Sequence, residues 1–407
     1  MNCAFTVTAH MTPSTSPIQK CIAKVMVALL LGAVCATASA GKSYTYTALG
    51  NPGASASAKP IAEQSIMLMG GGYDVGEAFR WMINRAGITP TTGGHFLVIR
   101  ATGTDAYNPY IYSDAHTVDT TTPKLYDMVG GKTMGLLSAA TLIIPSRTAA
   151  NDPQVVNYIN SASAIFIAGG NQADYYNDWR GTGVETALRA ALSKNIPIGG
   201  TSAGAEMLGQ FDFVALNGAV TSSQALADPF NKYMTIDPLN TAYTSSFLSP
   251  GKLARTITDV HVNTRDRLGR SMAFMARLGM SCRGPLSDVS SNAIALDEET
   301  ALLIAGSTSV SLAVNPYNSD NFTSGLYYKT NSVYYISANT SPTTCKAGTP
   351  LTYPSGAVVV KRLSAAGALT TPPISNGSYT ASFTTTQTNY GVNKGVITFN
   401  GNTFAPY

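Results

Sequence analysis

The sequence predicts an α/β protein in which a parallel sheet is flanked by helices, with a β-rich C-terminal extension. Up to about residue 300, short apolar runs that end in glycine alternate with segments of helical spacing, a pattern typical of parallel βαβ units. After about residue 305, short alternating segments separated by turn residues replace it. Sites in such sheets lie beyond the carboxyl ends of the strands. We therefore expect the glycine turns after residues 69, 168 and 198 at one edge of the sheet.

Individual segments fit this scheme. The predicted strands are apolar runs that lead into glycine, and the predicted helices carry apolar residues at helical spacing. Asp152 as a cap and Pro153 in the first turn favour the start of one helix. The runs that contain the strands are 65–72, 95–103, 164–172 and 196–204, and the predicted helices are 74–87, 152–162 and 183–195.

The N-terminal segment is predicted to be a secretory signal peptide. Two lysines precede an apolar run over residues 25–36, and Ala38 and Ala40 offer a small-residue cleavage site. An uncut membrane anchor is the alternative reading, and Met11 is an alternative start. The predicted organisation is a signal peptide over 1–40, a lead-in segment over 41–60, an α/β catalytic domain over 61–310 and a β-rich part packed on it over 311–407.

Two cysteines remain if the signal peptide is removed. Cys3, Cys21 and Cys35 lie within it, whereas Cys282 and Cys345 lie in the mature chain. An even number of cysteines in an oxidising compartment predicts one disulfide between them. The alternative is a pair of buried free thiols.

Composition argues against several classes of function. Charged residues make up 12% of the chain, and the formal net charge of +4 is small and scattered, which does not indicate a nucleic-acid-binding protein. No segment after the N-terminal one is apolar enough to span a membrane. The sequence has no metal-binding motif of the HExxH or CxxC kind, and we expect no cofactor.

A candidate nucleophile lies in the stretch GTSAG at residues 200–204. It fits the pattern G-x-S-x-G, which places Ser202 on a sharp turn between a strand and a helix. A serine hydroxyl needs a base to take its proton, and the base is usually histidine. In the mature chain, His95 begins a predicted buried strand and His116 lies in a polar loop, so His261 is the strongest candidate.

The segment around His261 supplies further polar groups. Asp259 lies two residues before it, on the same side of the chain if the segment is extended. Three arginines follow at once, namely Arg265, Arg267 and Arg270. Alone, such a run is more often a solvated surface. Together with the serine turn it predicts a serine hydrolase.

Four stretches, in this order, resemble the cyanophycinases: IFIAGGNQ, GGTSAGA, DVHVNTRDRLGR and NAIALDEETALLI. The resemblance covers roughly residues 60–310. These enzymes are serine hydrolases of the peptidase E type, with a flavodoxin-like α/β fold related to the class I glutamine amidotransferases. With the predicted signal peptide, the resemblance implies a secreted bacterial exopeptidase. Its expected substrate is cyanophycin, a poly-aspartate backbone with arginine on each side-chain carboxyl, cut to β-Asp-Arg dipeptides.

The resemblance also implies roles for single residues. Ser202 matches the nucleophile and His261 the base, and backbone amides at Gly170 and Ala203 match the oxyanion hole. Asn171 replaces the aspartate of the family's Gly-Gly-Asp-Gln loop. The substrate-binding residues implied in this way are Gln172, Asp259, Arg265, Arg267 and Arg270.

One departure concerns the third member of the catalytic triad. The family commonly has a glutamate after the nucleophile, and the stretch at 220–230 contains none. We interpret LDEET at 296–300 as a strand edge or turn. Glu206, one turn into the helix after the serine, either approaches the site or faces solvent. The residues expected to orient the histidine are Ser223, Gln224 or Asp228.

Two other functions remain as alternatives. A secreted α/β-hydrolase, such as an esterase or depolymerase, would share the serine turn but has its histidine late in the chain, whereas no histidine follows His261. A non-catalytic binding protein on the same scaffold would use the β-rich tail. The expected partner is the cyanophycin polymer, with no nucleic acid and no membrane after signal cleavage, and a homodimer is left open.

Overall fold

The computed structural model describes residues 43–114, 128–306, 309–314, 331–365, 383–399 and 402–404. The predicted signal peptide and His116 lie outside these residues. The residues described form one compact unit. Among the residues described, no helix is long and apolar enough to cross a membrane.

Strands and helices alternate along the first part of the described chain, and strands dominate the last part. The strands are β1 Thr45–Gly50, β2 Ser65–Met69, β3 Gly94–Arg100, β4 Leu136–Ile143, β5 Ala164–Ile167, β6 Ile198–Thr201, β7 Asp212–Phe213, β8 Ile236–Asp237, β9 Thr256–Asp259, β10 Asn292–Leu296, β11 Thr300–Ala305, β12 Ser309–Val314, β13 Ser332–Ala338, β14 Tyr353–Ala365, β15 Phe383–Asn393, β16 Val396–Phe399 and β17 Asn402–Phe404. The helices are α1 Gly76–Arg85, α2 Tyr107–Tyr112, α3 Gly131–Met134, α4 Arg147–Ala150, α5 Pro153–Asn160, α6 Gln172–Trp179, α7 Gly183–Ser193, α8 Ala203–Glu206, α9 Ser222–Ala227, α10 Val262–Arg265 and α11 Leu268–Leu278.

The first sheet confirms the predicted α/β fold. Its strand order is β1-β4-β3-β5-β6-β2-β11-β12. The central strands from β4 to β2 run parallel, and β1, β11 and β12 are antiparallel to their neighbours. Met69 pairs with Thr201, and Ile167 pairs with Gly200. The glycine turns after Met69 and Ala168 therefore lie at one edge, as the sequence predicts, whereas Gly199 and Gly200 lie within β6 and the turn there begins at Ser202.

Both faces of this sheet are covered, as a parallel sheet requires. On β2, Ile66 and Leu68 belong to one buried cluster and Met67 and Met69 to another. Successive strand residues point to opposite faces, so each cluster packs on one side of the sheet. The predicted helix start at residue 153 is confirmed, because the Asp152 side chain accepts a hydrogen bond from the backbone N–H two residues on.

The second sheet shows how the β-rich extension is attached. Its order is β17-β16-β15-β14-β13-β10-β9. Strands β9 and β10 are parallel and come from the predicted catalytic domain, whereas β13 to β17 continue the sheet in antiparallel fashion. The extension is thus continuous with the α/β part through backbone hydrogen bonds. At the other end of the chain, the sequence predicts a loose lead-in over residues 41–60. Part of this segment is instead strand β1, which pairs with β4 in the first sheet.

A disulfide joins Cys282 to Cys345, and their Cα atoms are 5.2 Å apart. Cys282 lies just beyond α11, and Cys345 lies between β13 and β14. Both residues are buried. The predicted bridge is therefore present, and it links the extension to the segment just after α11.

Candidate active site

Ser202 lies on a tight turn between β6 and α8. Its backbone φ is 51°, a value that is rare outside glycine, and its N–H donates to the carbonyl of Met69 at 3.1 Å. A Cβ at Gly200 would lie 2.4 Å from the Gly204 carbonyl oxygen, and one at Gly204 would lie 2.1 Å from the carbonyl oxygen of Ile167. Neither glycine position of the G-x-S-x-G pattern has room for a side chain, because a neighbouring backbone carbonyl approaches each glycine too closely.

His261 faces this serine from the loop after β9. The distance between Ser202 Oγ and His261 Nε2 is 2.7 Å. The backbone N–H of His261 donates to the carbonyl of Gly70 at 3.0 Å, which ties the loop to the end of β2. The histidine is only 4% exposed. The structure thus brings together the two residues that the sequence predicts as nucleophile and base.

The side chain that orients the histidine is Glu298, in the turn between β10 and β11. Its Oε1 lies 2.5 Å from His261 Nδ1 and also accepts a hydrogen bond from the Thr264 hydroxyl at 2.8 Å. The Glu298 N–H donates to Asn263 Oδ1 at 3.2 Å. We call the hydrogen-bonded chain Ser202–His261–Glu298 the relay.

This corrects two expectations about the third group. The stretch at 296–300 does form a turn between two strands, but the first of its two glutamates, Glu298, is directed at the histidine. Gln224, one of the residues expected there, instead forms a capping box with Thr221 at the start of α9. Asp228 accepts a hydrogen bond from the Phe230 N–H, and Ser223 contacts the Thr221 hydroxyl.

The surroundings keep the histidine neutral and the glutamate ionised. Burial lowers the pKa of His261 below its usual 6.5, and the positive charges of Arg265 and Arg267 act in the same direction against the effect of Glu298. Burial alone would raise the pKa of Glu298, but the hydrogen bonds from His261 and Thr264 hold it below its usual range. A neutral imidazole beside a carboxylate is the state needed to accept a serine proton.

The predicted oxyanion residues flank the serine. A Cβ at Gly169 would lie 3.3 Å from Ser202 Cβ, so the Gly169–Gly170 turn lies directly against the nucleophile. At Gly170 a Cβ would lie 2.7 Å from the Tyr175 hydroxyl, which itself donates to the carbonyl of Ala168. Ala203 is the first residue of α8, where backbone N–H groups lack intrahelical partners.

Three of the predicted substrate-binding residues are accessible to different degrees. Gln172 is half-buried at the start of α6, and its Nε2 donates to Glu206 Oε2 at 2.6 Å. Arg265 is exposed at the end of α10. Arg267 is half-buried and donates to the carbonyl of Val260 at 3.2 Å, and burial lowers its pKa to about 10.

The structure corrects the expectation for Asp259 and Arg270, which are both 0% exposed. The Arg270 guanidinium donates to Asp259 through Nε at 3.0 Å and through Nη2 at 2.5 Å, and its Nη2 also donates to Glu206 Oε1 at 2.8 Å. Solvent does not reach these groups. They connect the end of β9 to α8 and α11 through buried hydrogen bonds.

Of the two other histidines outside the predicted signal peptide, His95 is described and lies away from the relay. Its Nδ1 is 2.8 Å from the Ser138 hydroxyl, and its Nε2 is 3.0 Å from the carbonyl of Ala54. It lies near the amino end of β3, whereas the serine follows the carboxyl end of β6. Its role is structural, as the sequence indicates.

The glycine run at residues 70–72 contributes to the site in a way that the sequence does not show. Gly71 has a φ of 96°, and a Cβ there would lie 2.2 Å from Cε1 and 2.7 Å from Nε2 of His261. The imidazole therefore packs against a bare backbone. The carbonyl of Gly71 accepts a hydrogen bond from the Glu299 N–H at 2.8 Å, so the same turn also holds the loop of Glu298.

Part of the chain that forms this site is similar to a known protein family. Residues 116–214 match the model of Peptidase family S51. This region includes the glycine turn at Gly169–Gly170 and the Ser202 elbow. No curated protein matches.

The solved structures that the chain matches include two bacterial proteins. A peptidase from an acI-B1 Actinobacterium is 16% identical, with a TM-score of 0.38 over 62% of this chain and 88% of that chain. A protein provisionally named peptidase E, from Listeria monocytogenes EGD-e, is 13% identical, with a TM-score of 0.35 over 62% of this chain and 99% of that chain.

Replacing Gly71 by alanine tests whether the bare backbone positions His261. We expect Gly71→Ala to slow labelling of Ser202 by a fluorophosphonate at least about a hundredfold, because the new methyl group displaces the imidazole. Gly130→Ala is the matched control, since Gly130 also has positive φ (72°) but a Cβ there meets nothing within 4 Å. Equal labelling rates in the two variants would contradict the assigned packing.

Proposed function

We propose that the protein is a serine peptidase in which Ser202 is the nucleophile, His261 the general base and Glu298 the group that orients the histidine. The observation that carries this proposal is the relay, with 2.7 Å between Ser202 Oγ and His261 Nε2 and 2.5 Å between His261 Nδ1 and Glu298 Oε1. These distances lie within reach for proton transfer. The match of residues 116–214 to a peptidase family supports the same reaction.

The proposed reaction proceeds through an acyl-enzyme. Ser202 Oγ attacks the scissile carbonyl carbon as its proton passes to His261 Nε2, and the carbonyl oxygen becomes an oxyanion. The amides of Gly170 and Ala203 are proposed to stabilise that oxyanion, since both residues adjoin the nucleophile. The C–N bond then breaks, and the histidine returns its proton to the leaving amine. Water, activated by the same imidazole, hydrolyses the ester and restores Ser202.

The order of the relay residues distinguishes this proposal from the α/β-hydrolase alternative. In that fold the chain order is serine, acid, then histidine. Here the order is Ser202, His261, Glu298. A purely non-catalytic binding protein is also disfavoured, because nothing in binding requires a strained serine aligned with a neutral, oriented imidazole.

For the substrate we propose cyanophycin, cleaved by exopeptidase action to β-Asp-Arg dipeptides. The support is the set of motifs that resembles cyanophycinases and the accessible polar groups around the serine. Arg265 is exposed one turn after His261, and a guanidinium holds carboxylates in a bidentate manner. Asp259 and Arg270 are excluded from this contact by burial, so Gln172, Arg265 and Arg267 carry the proposed recognition.

We further propose that the protein is secreted. Its N-terminal segment has the composition of a bacterial signal peptide, and the Cys282–Cys345 disulfide is compatible with an oxidising compartment. A secreted enzyme of this specificity would act on polymer released by other cells.

Removal of the Glu298 charge tests the relay. We expect Glu298→Gln to lower kcat for peptide hydrolysis on the order of a thousandfold, since the amide cannot stabilise the imidazolium. Asp228→Asn, a matched change at a residue in the stretch without a glutamate, should leave kcat within about twofold. A larger loss in Asp228→Asn than in Glu298→Gln would show that the orienting group is misassigned.

The acid limit of Ser202 reactivity is set by His261. Because burial lowers the pKa of the imidazole, the neutral form persists below the usual value of 6.5, and reactivity is lost only as pH falls through the lowered pKa. We expect the rate constant for fluorophosphonate labelling, measured between about pH 4 and pH 9, to show an acid limb below pH 6.5. A limb above that value would contradict a buried histidine flanked by arginines.

Arginine geometry tests the substrate class. We expect the wild type to release β-Asp-Arg from cyanophycin, read by mass analysis of soluble products, and to leave casein intact. Arg265→Lys keeps the charge but not the planar fork, so it should lower cleavage about tenfold or more. Arg255→Lys, at another exposed arginine, is the control and should have no effect. Equal hydrolysis of casein and cyanophycin would refute the proposed specificity.

A further inference from the structure

Glu206 occupies a buried position between the nucleophile turn and the predicted substrate-binding loop. It is the last residue of α8, it is 2% exposed, and its N–H donates to the carbonyl of Ser202 at 3.0 Å. The sequence left open whether its carboxylate faces solvent. The structure shows that each of its two oxygens accepts a different hydrogen bond.

One oxygen of Glu206 is held by the protein core. Its Oε1 accepts from Arg270 Nη2 at 2.8 Å, and Arg270 is fixed in turn by Asp259. Asp259 also accepts from the Ser271 hydroxyl at 2.6 Å. The guanidinium lies over the rings of two phenylalanines. Arg270 thus presents a donor at a fixed place, and Glu206 Oε1 must remain directed at it.

The other oxygen determines the orientation of the Gln172 amide. Glu206 Oε2 lies 2.6 Å from Gln172 Nε2. An ionised carboxylate only accepts hydrogen bonds, so the NH₂ end of the amide must face Glu206 and the carbonyl end must face away. Among the residues described, no hydrogen bond to Gln172 Oε1 is formed. Gln172 is half-buried and lies two residues after Gly170, in the loop whose glycine turn packs against Ser202, so its amide belongs to the loop beside the nucleophile.

We propose that Glu206 is a positioning residue that fixes the Gln172 amide with Oε1 outward, so that the site accepts an N–H donor of the substrate. The donor is an amide, ammonium or guanidinium N–H, and not a carboxylate. This inference rests on the proposed function, because it concerns binding beside the proposed nucleophile. In this inference, Glu206 determines that the acceptor end of the Gln172 amide faces the substrate, although Glu206 itself does not touch the substrate.

The substitution Glu206→Gln is expected to reverse this polarity without changing side-chain size. Arg270 would attract the single amide oxygen of the new side chain, which leaves an NH₂ group facing Gln172. The Gln172 amide must then rotate so that its oxygen accepts that NH₂ group. Its own NH₂ end would face the substrate, where a donor would meet a donor.

The test compares steady-state kinetics of the full-length protein on soluble β-Asp-Arg oligomers. The assay is run at about pH 8, because burial raises the pKa of Glu206 and the group must be ionised. We expect Glu206→Gln to raise KM about tenfold or more with kcat within about threefold. Gln172→Met should raise KM similarly, and the double variant should match Gln172→Met alone, because both changes act through one contact.

Glu185→Gln is the matched control. Glu185 is also buried and is paired with an arginine, Arg180 Nη1 at 2.6 Å, but it lies in α7 and not beside the serine. It should leave KM unchanged despite a comparable loss of stability. An unchanged KM in Glu206→Gln, or KM increases that multiply in the double variant, would overturn the inference.

A second measurement separates this inference from the proposed function. If the wild type neither cleaves the oligomers nor reacts with a fluorophosphonate, the proposed function has failed. The Glu206–Gln172 contact is then judged by melting temperature. The sum of the losses in the two single variants should exceed the loss in the double variant, because both single changes break the same contact. Strictly additive losses would show that the two side chains are not coupled, and the inference would fall.

Discussion

The buried ion pair between Asp259 and Arg270 is the interaction on which the candidate site depends. Asp259 ends β9, two residues before His261, and Arg270 lies in α11. Through Glu206, the same guanidinium is linked to α8, the helix that directly follows Ser202. Breaking a buried pair by removing one partner typically costs about 3–5 kcal/mol, because the remaining charge is left uncompensated. The pair therefore fixes the segment that carries His261 relative to the helix that follows Ser202.

The relay shows how different parts of the chain meet at one place. Ser202 follows the first sheet, His261 follows a strand of the second sheet, and Glu298 lies in the turn that passes from β10 in the second sheet to β11 in the first. Gly70 and Gly71 contact the histidine loop and the glutamate loop through backbone hydrogen bonds. The site is thus a junction of the two sheets, and its geometry depends on their joint packing.

Much of the fold and part of the site could be predicted from local sequence. Glycine-terminated apolar runs locate the parallel strands, and the G-x-S-x-G pattern locates the serine turn, because both depend on backbone sterics within a few residues. Glu298 could not be assigned in this way, since its contact with His261 spans 37 positions. The burial of Arg270 is likewise tertiary, because the sequence alone does not distinguish a surface arginine from one that faces Asp259 and Glu206.

The central claim is that Ser202 is activated by the relay, and mapping of a covalent adduct tests it most directly. The folded protein is treated with a fluorophosphonate, digested, and analysed by mass spectrometry, with protein unfolded in urea treated in parallel. The account predicts one adduct, on Ser202, in the folded protein and none in the unfolded protein. An adduct on another serine, or no adduct on folded Ser202, would contradict it.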